Sequence, residues 1–301
     1  MPTDASSVLV PGPWEHRYVS ANGARFHVAT AGDGPLVLFL HTFPQFWWTW
    51  RHQLQALSQA GYRAVAMDLR GYGASDKPPI GYDAPTLAAD VGGVVRSLGE
   101  THAVVVGHGI GGWLAWSLPR WDPDVVRAIG VVATPHPVVQ RPSWHPERFR
   151  ATVAVAELAR PFHPEREMAR GPAYVHRVLS TWVPPGTSWP PGPDAARYAE
   201  AMAIPFAAHS AAEAYRWLLY ARLHPAGRAY LKGLRRPVAV PVLYVEGQED
   251  PVVAPALRVR SAPCVRGPWS VATIPGAGHA PHEQCPQPVN EALLRWLAAL
   301  P

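Results

Sequence analysis

The sequence predicts a mostly parallel, doubly wound α/β sheet interrupted by a helical insertion. Three observations carry this. Strand-like and helix-like runs alternate from residue 36 to residue 133, strand patterning is missing from about 135 to 237, and it returns at 241. Between the two regimes of the first half, residues 101–116 (THAVVVGHGIGGWLAW) join a β-branched run to an apolar helical segment through a corner of glycines. At 301 residues and 48% hydrophobic content, the chain can bury a full core and still carry an insertion.

Residues 15–20 and 25–31 flank Asn22-Gly23, a dipeptide that favours positive φ, and read as an opening antiparallel hairpin. The continuous apolar run 36–41, bounded by Gly34-Pro35 and Pro44, reads as a buried strand. A helix over 50–60 follows, stopped by Gly61, then a strand over 63–69. A helix over 85–98 precedes the strand 103–107 and its glycine corner, and a helix over 110–121 and a strand over 128–133 complete the first half. The stretch 136–237 is interrupted by prolines, rich in Trp, His and Arg, and amphipathic around 149–159, 173–181 and 211–223; it reads as a helical lid. Strands over 241–247 and 270–275 and a closing helix over 288–300, with Val289, Leu293, Leu294 and Leu297 on one face, end the chain. The expected division is therefore a core over 1–135, a cap over 136–237 and the rest of the core over 238–301.

Composition narrows the function. The formal charge of +5 comes almost entirely from scattered arginines, with no stripe or run that marks a nucleic-acid surface. The N-terminus lacks a basic stretch followed by an apolar segment, and the longest apolar runs are far too short to span a bilayer. Cys264 and Cys285, the two cysteines, show no disulfide or metal-site spacing, so a reducing cytoplasm is the expected compartment. There is no repeat and no cluster with metal-ligand spacing. Gly107 to Gly112 follow no dinucleotide-binding pattern, because no acidic residue ends the next strand. No cofactor is expected.

The glycine corner has the form of a nucleophile elbow, G-x-Nuc-x-G, whose tight turn thrusts the central side chain above the sheet. Gly107 and Gly111 take the flanking positions, but the central position is Gly109. The scaffold for covalent catalysis is present without an attacking atom.

Five stretches, 41–51 (HTFPQFWWTWR), 67–78 (MDLRGYGASDKP), 107–112 (GHGIGG), 242–253 (VLYVEGQEDPVV) and 274–286 (IPGAGHAPHEQCP), stand in an order that resembles the α/β-hydrolase superfamily. Within it the chain is similar to the epoxide hydrolase and haloalkane dehalogenase branch. The resemblance covers nearly the whole chain outside the lid and implies the α/β-hydrolase fold. It puts the catalytic acid at Asp250, the catalytic histidine at His279, and backbone oxyanion donors at Phe43 and Ile110. A carboxylate behind an imidazole fixes its tautomer and steadies the cation formed when the ring accepts a proton. Tyr215 matches one of the two lid tyrosines that donate to an epoxide oxygen, or is a core aromatic; the other falls near Ala154, where there is none. The family usually has glycine where Thr42 stands and often tryptophan where Ile110 stands, which weakens a dehalogenase reading. Phe43-Pro44 matches a dipeptide often cis in this branch, or is an ordinary trans turn. Further candidates for substrate contact are His41, Trp47 and His108, while His282 reads as structural.

Three readings of Gly109 compete. His279 and Asp250 act as a general-base dyad on a small apolar or aromatic substrate, by non-covalent hydrolysis, cyclisation, isomerisation or elimination. The chain is instead a non-catalytic binder of a small molecule or partner. Or Gly109 is an introduced replacement of Asp or Ser in an ordinary hydrolase. The retained acid, histidine and backbone donors favour the first. The partner expected is a small apolar molecule, neither nucleic acid nor membrane, and a homodimer stays open.

Overall fold

The computed structural model describes residues 3–140, 153, 154 and 156–301. Eight strands form one sheet in the order β1-β2-β4-β3-β5-β6-β7-β8. They are β1 (Glu15–Ala21), β2 (Ala24–Ala31), β3 (Leu36–Leu40), β4 (Arg63–Met67), β5 (Ala103–His108), β6 (Val126–Val132), β7 (Val242–Gly247) and β8 (Trp269–Ile274). The hairpin β1–β2 is antiparallel, turning at Asn22 (φ 43°) and Gly23 (φ 74°). β2 meets β4 antiparallel, and all pairings from β4 through β8 are parallel. Every residue of β3 and β5 is buried, as expected where helices cover both faces of a parallel sheet.

Helices α1 (Arg51–Gln59), α2 (Ala84–Ser97) and α3 (Ile110–Trp121) connect the first strands, and α3 spans the residues expected of it. Asp83 caps α2, its side chain accepting the Thr86 N–H, with Pro85 in the first turn. Between β6 and β7 the described residues include α4 (His163–Ala169), α5 (Ala173–Ser180), α6 (Gly192–Met202), α7 (Ala207–Tyr220) and α8 (Pro225–Gly233). Of the amphipathic pieces expected here, 173–181 matches α5, 211–223 begins four residues after α7 does, and 149–159 lies partly outside the described residues. Helices α4, α6 and α8 were not expected. After β7 come α9 (Pro255–Ser261), α10 (Pro281–Gln284) and α11 (Pro286–Ala298). Val289, Leu293 and Leu297 are buried along α11, but Leu294 is half-buried and Trp296 takes its place on the inner face. No helix among the described residues is long and apolar enough to cross a membrane.

The loops after β3 and β4 are tied together by Asp68, a fully buried carboxylate. Its Oδ1 accepts the Trp47 N–H at 2.9 Å, and its Oδ2 accepts the Ala74 N–H at 3.0 Å and the His27 ring N–H at 2.8 Å. Burial opposes ionisation, but the His27 bond, the neighbouring His27 and His41 rings and the Trp47 N–H outweigh it and hold this carboxyl below its ordinary value. The resulting stability is fully present above the unfolded carboxylate range and is lost as pH falls through the depressed folded value. Asp68→Asn is expected to lower unfolding free energy by roughly 3 kcal/mol, since it breaks a buried pair. Urea titrations at neutral and acidic pH check both points: the difference between wild type and variant should shrink in acid.

Candidate active site

The parallel strands deliver their following loops to one edge of the sheet, and the segment between β6 and β7 hydrogen-bonds across that edge. Trp182 O accepts the His279 N–H at 2.8 Å, and Tyr215 on α7 bonds to Thr42 in the loop after β3. Ligand sites in open α/β sheets form at this edge.

The elbow keeps its turn. Gly109 has φ 53° and ψ −116°, outside the regions that L-residues populate easily. A Cβ at Gly107 would lie 2.1 Å from Gly111 O, and one at Gly111 would lie 2.2 Å from Leu40 O, so strand, turn and helix pack without room for side chains. The Gly109 N–H donates to Thr134 Oγ1 at 2.8 Å, and the Gly111 N–H to His41 O at 3.1 Å.

Position 109 is also closed by Thr42. A Cβ built on Gly109 would stand 2.3 Å from Thr42 Oγ1 and 2.6 Å from Thr42 Cβ. The threonine side chain thus occupies the seat of the missing one. Its Oγ1 accepts the Ile110 N–H at 3.1 Å and lies 3.0 Å from Tyr215 Oη. One of the two backbone donors expected for an oxyanion is therefore already bonded, while the Phe43 N–H has no protein partner among the described residues. The Phe43-Pro44 bond is cis. Burial pushes the Tyr215 phenol up to about 12, against the Thr42 bond, so it is a proton donor at neutral pH and not a base.

His279 and Asp250 meet as a dyad. Asp250 follows β7, and its Oδ1 accepts the N–H groups of Val252 at 2.7 Å and Val253 at 3.0 Å. Its Oδ2 lies 2.9 Å from His279 Nδ1. A carboxylate holding two backbone donors accepts here too, so the imidazole proton sits on Nδ1 and Nε2 presents a bare lone pair. Nε2 bonds to no described residue. The His279 ring packs 4.9 Å from His108, the neighbour of Gly109 in sequence, and 5.4 Å from Trp182.

The other candidates hold the frame. His41 is fully buried, its Nε2 accepting the Leu69 N–H at 3.0 Å and its Nδ1 donating to Thr42 O at 3.2 Å. Burial pushes it down to about 4, so it is a neutral strut between two loops. Trp47 is corrected from substrate contact to core: it is fully buried, its indole N–H donates to Val8 O at 2.8 Å, and its ring packs on Trp14 and His27. Its apolar surface is taken up by the side of the sheet that carries the hairpin. His108 is also buried, with its Nδ1 donating to Gln45 Oε1 at 3.3 Å, and burial together with His282 and His279 holds it well below its ordinary value. It backs the His279 ring as a neutral support. His282 Nε2 lies 2.8 Å from Thr49 Oγ1, and its ring stacks on Trp50.

Behind these rings lies a polar cluster that sequence reading missed. Gln45 Nε2 donates to Glu283 at 3.2 Å, Arg51 pairs with Glu283 at 2.8 Å, and the Tyr198 hydroxyl donates to the same carboxylate. Burial raises Glu283 above its ordinary value despite the Arg51 charge. Thr42 was noticed only as a departure from glycine; considered together, the departures at 42 and 109 would have pointed to side chains exchanged across one gap. Among the described residues no group of three His, Cys, Asp or Glu side chains is placed to hold a metal.

Residues 37–292 match the family described as "Alpha/beta hydrolase family". Epoxide hydrolase A of Mycobacterium tuberculosis is 31% identical over 94% of this chain and 97% of its own length. Epoxide hydrolase 2 of Siraitia grosvenorii is 47% identical over 117 residues, a match that spans 38% of this chain and 37% of that protein. The crystal structure of epoxide hydrolase A from Mycobacterium thermoresistibile superposes with a TM-score of 0.82 at 26% identity, covering 96% of this chain and 99% of that one. Fold, motif order and these likenesses agree: the chain belongs to the alpha/beta hydrolase family, with epoxide hydrolases among its relatives.

Proposed function

We propose that this protein adds water to, or moves a proton on, a small apolar or aromatic substrate without a covalent intermediate, with His279 as general base and Asp250 as the carboxylate that orients it. The observation that carries the reading is the pairing of an intact dyad, His279 Nδ1 to Asp250 Oδ2 at 2.9 Å with Nε2 bare, with an elbow whose seat Thr42 fills. Relatives named epoxide hydrolases make an epoxide the first substrate to try. In that reaction His279 Nε2 takes a proton from water, the water oxygen bonds to an epoxide carbon as the C–O bond breaks, and the freed oxygen takes a proton from the Tyr215–Thr42 hydroxyls. The imidazolium returns its proton to them through solvent. Loss of a covalent nucleophile costs a hydrolase about a millionfold. General-base assistance of this kind contributes on the order of a hundred to ten thousandfold, enough for strained rings and other easy reactions.

A second reading has its own observation. Thr42 takes the Ile110 N–H and the Tyr215 hydroxyl, so groups that would stabilise a reacting oxygen are bonded to each other, which favours a binding protein. The third reading, an introduced glycine, fits less well, because a single replacement at 109 would not bring a threonine into the vacated seat. Styrene oxide separates the first two. Diol formation well above the buffer rate supports catalysis; epoxide recovered unchanged from its complex after long incubation supports binding and overturns the proposal for this substrate.

A further inference from the structure

His279 is tied to two different parts of the protein. Its Nδ1 meets Asp250 in the loop after β7, which fixes the tautomer. Its main-chain N–H donates to Trp182 O at 2.8 Å, just past the end of α5 in the segment between β6 and β7. The first bond decides which nitrogen is bare, and the second anchors the backbone from which the ring swings. The approach at Trp182 leaves no room for a side chain on the residue before His279. A Cβ built on Gly278 would stand 2.3 Å from Trp182 O, while the φ of Gly278 lies outside the left-handed region. Glycine is required here by the closeness of two chain segments and not by backbone conformation. The Trp182 ring closes the same side. It is 6% exposed, stacks on Trp189 at 6.0 Å, and lies edge to face with the His279 ring at 5.4 Å and the His108 ring at 5.3 Å. Packed in this way, the imidazole cannot tip toward the indole without displacing a buried ring.

We infer that Trp182 is the positioning residue for His279. Its carbonyl fixes the backbone of the base and its indole fixes the ring, so the dyad keeps its register only while the end of α5 is seated on the loop after β8. Trp182 acts through His279 and needs no contact with substrate. The inference deepens the proposed function, and its consequence for turnover rests on that reading, but the hold on His279 does not require turnover.

Proton exchange in the whole protein, labelled with nitrogen-15, reads the hold through the His279 Nδ1–H, identified by its loss in His279→Ala. Gly278→Ala pushes the Trp182 carbonyl away without adding or removing a polar group. Trp182→Ala removes the indole and keeps the carbonyl. In both variants the Nδ1 proton should exchange roughly tenfold faster than in wild type, about the net contribution of one hydrogen bond. Trp182→Phe should recover most of the lifetime, because a ring stands there again. The His27 Nδ1 proton, held by Asp68 beside the hairpin, is the internal reference and should keep its wild-type rate. An unchanged His279 Nδ1 lifetime in either alanine variant overturns the inference, as does the absence of this signal from wild type. Equal acceleration at His27 also overturns it, since that would mean general loosening. Styrene oxide turnover tells this inference from the one it rests on. Where it is turned over, kcat per folded molecule should fall about tenfold in both alanine variants while KM moves less than about threefold. If wild type turns over nothing yet the exchange rates respond as expected, His279 is held by Trp182 and is not a base.

Discussion

An aspartate restored at position 109 is expected to form a covalent alkyl-enzyme only when Thr42 is replaced by glycine at the same time. In Gly109→Asp alone, the new Cβ would stand 2.3 Å from Thr42 Oγ1 and 2.6 Å from Thr42 Cβ, and both residues are held by short connections to the sheet. Overpacking of this kind costs about 1–3 kcal/mol and displaces the new carboxylate from its line of attack. The same threonine keeps the Ile110 N–H occupied. Thr42→Gly with Gly109→Asp removes the obstruction and frees that N–H, while the His279–Asp250 dyad that would hydrolyse the ester stays in place. Intact-protein mass spectrometry after a rapid quench with styrene oxide should show the adduct in the double variant and not in Gly109→Asp. Equal adduct in both would mean that Thr42 yields without cost and that positions 42 and 109 are independent.

His279→Ala is expected to lower turnover of the productive substrate by roughly a hundred to ten thousandfold, the range that a general base contributes. Asp250→Asn should fall in the same range for a different reason. An amide in place of the carboxylate can donate to Nδ1, which moves the ring proton to Nε2 and removes the lone pair that takes the substrate's or water's proton. Gly109→Ala replaces no proton-transfer group but presses its Cβ on Thr42, so it should lower protein stability and cost the rate per folded molecule far less than His279→Ala does. Initial rates normalised to folded protein test all three. Turnover that survives the loss of His279 would remove the imidazole from the mechanism.

The middle of the sheet was legible because β3 and β5 are buried on both faces and so read as short apolar runs. Leu36–Leu40 and Ala103–His108 emerged within a residue or two of where they were expected. The helices that escaped notice share one cause. Pro164, Pro193 and Pro225 each stand in a helix's first turn, where no N–H is needed, whereas the sequence reading takes the prolines of 136–237 as interruptions. Asp250 and His279 were found through motif context, and the sheet brings them together across 29 residues of sequence. Trp47 shows the opposite limit. An aromatic beside a site motif gives no sign of which way its loop faces, and here the Asp68 carboxylate holds that loop against the hairpin. The network of Gln45, Glu283, Arg51 and Tyr198 joins residues far apart in sequence, and nothing local announces it.

The route of the oxygen atom tests the absence of a covalent step most directly. A single turnover of styrene oxide in water enriched in oxygen-18, with protein in excess, should place solvent oxygen in the diol and leave the mass of the recovered protein unchanged. A first-turnover diol without oxygen-18, with the label appearing in the protein, would mean that a side chain had attacked the ring and would contradict the one-step mechanism.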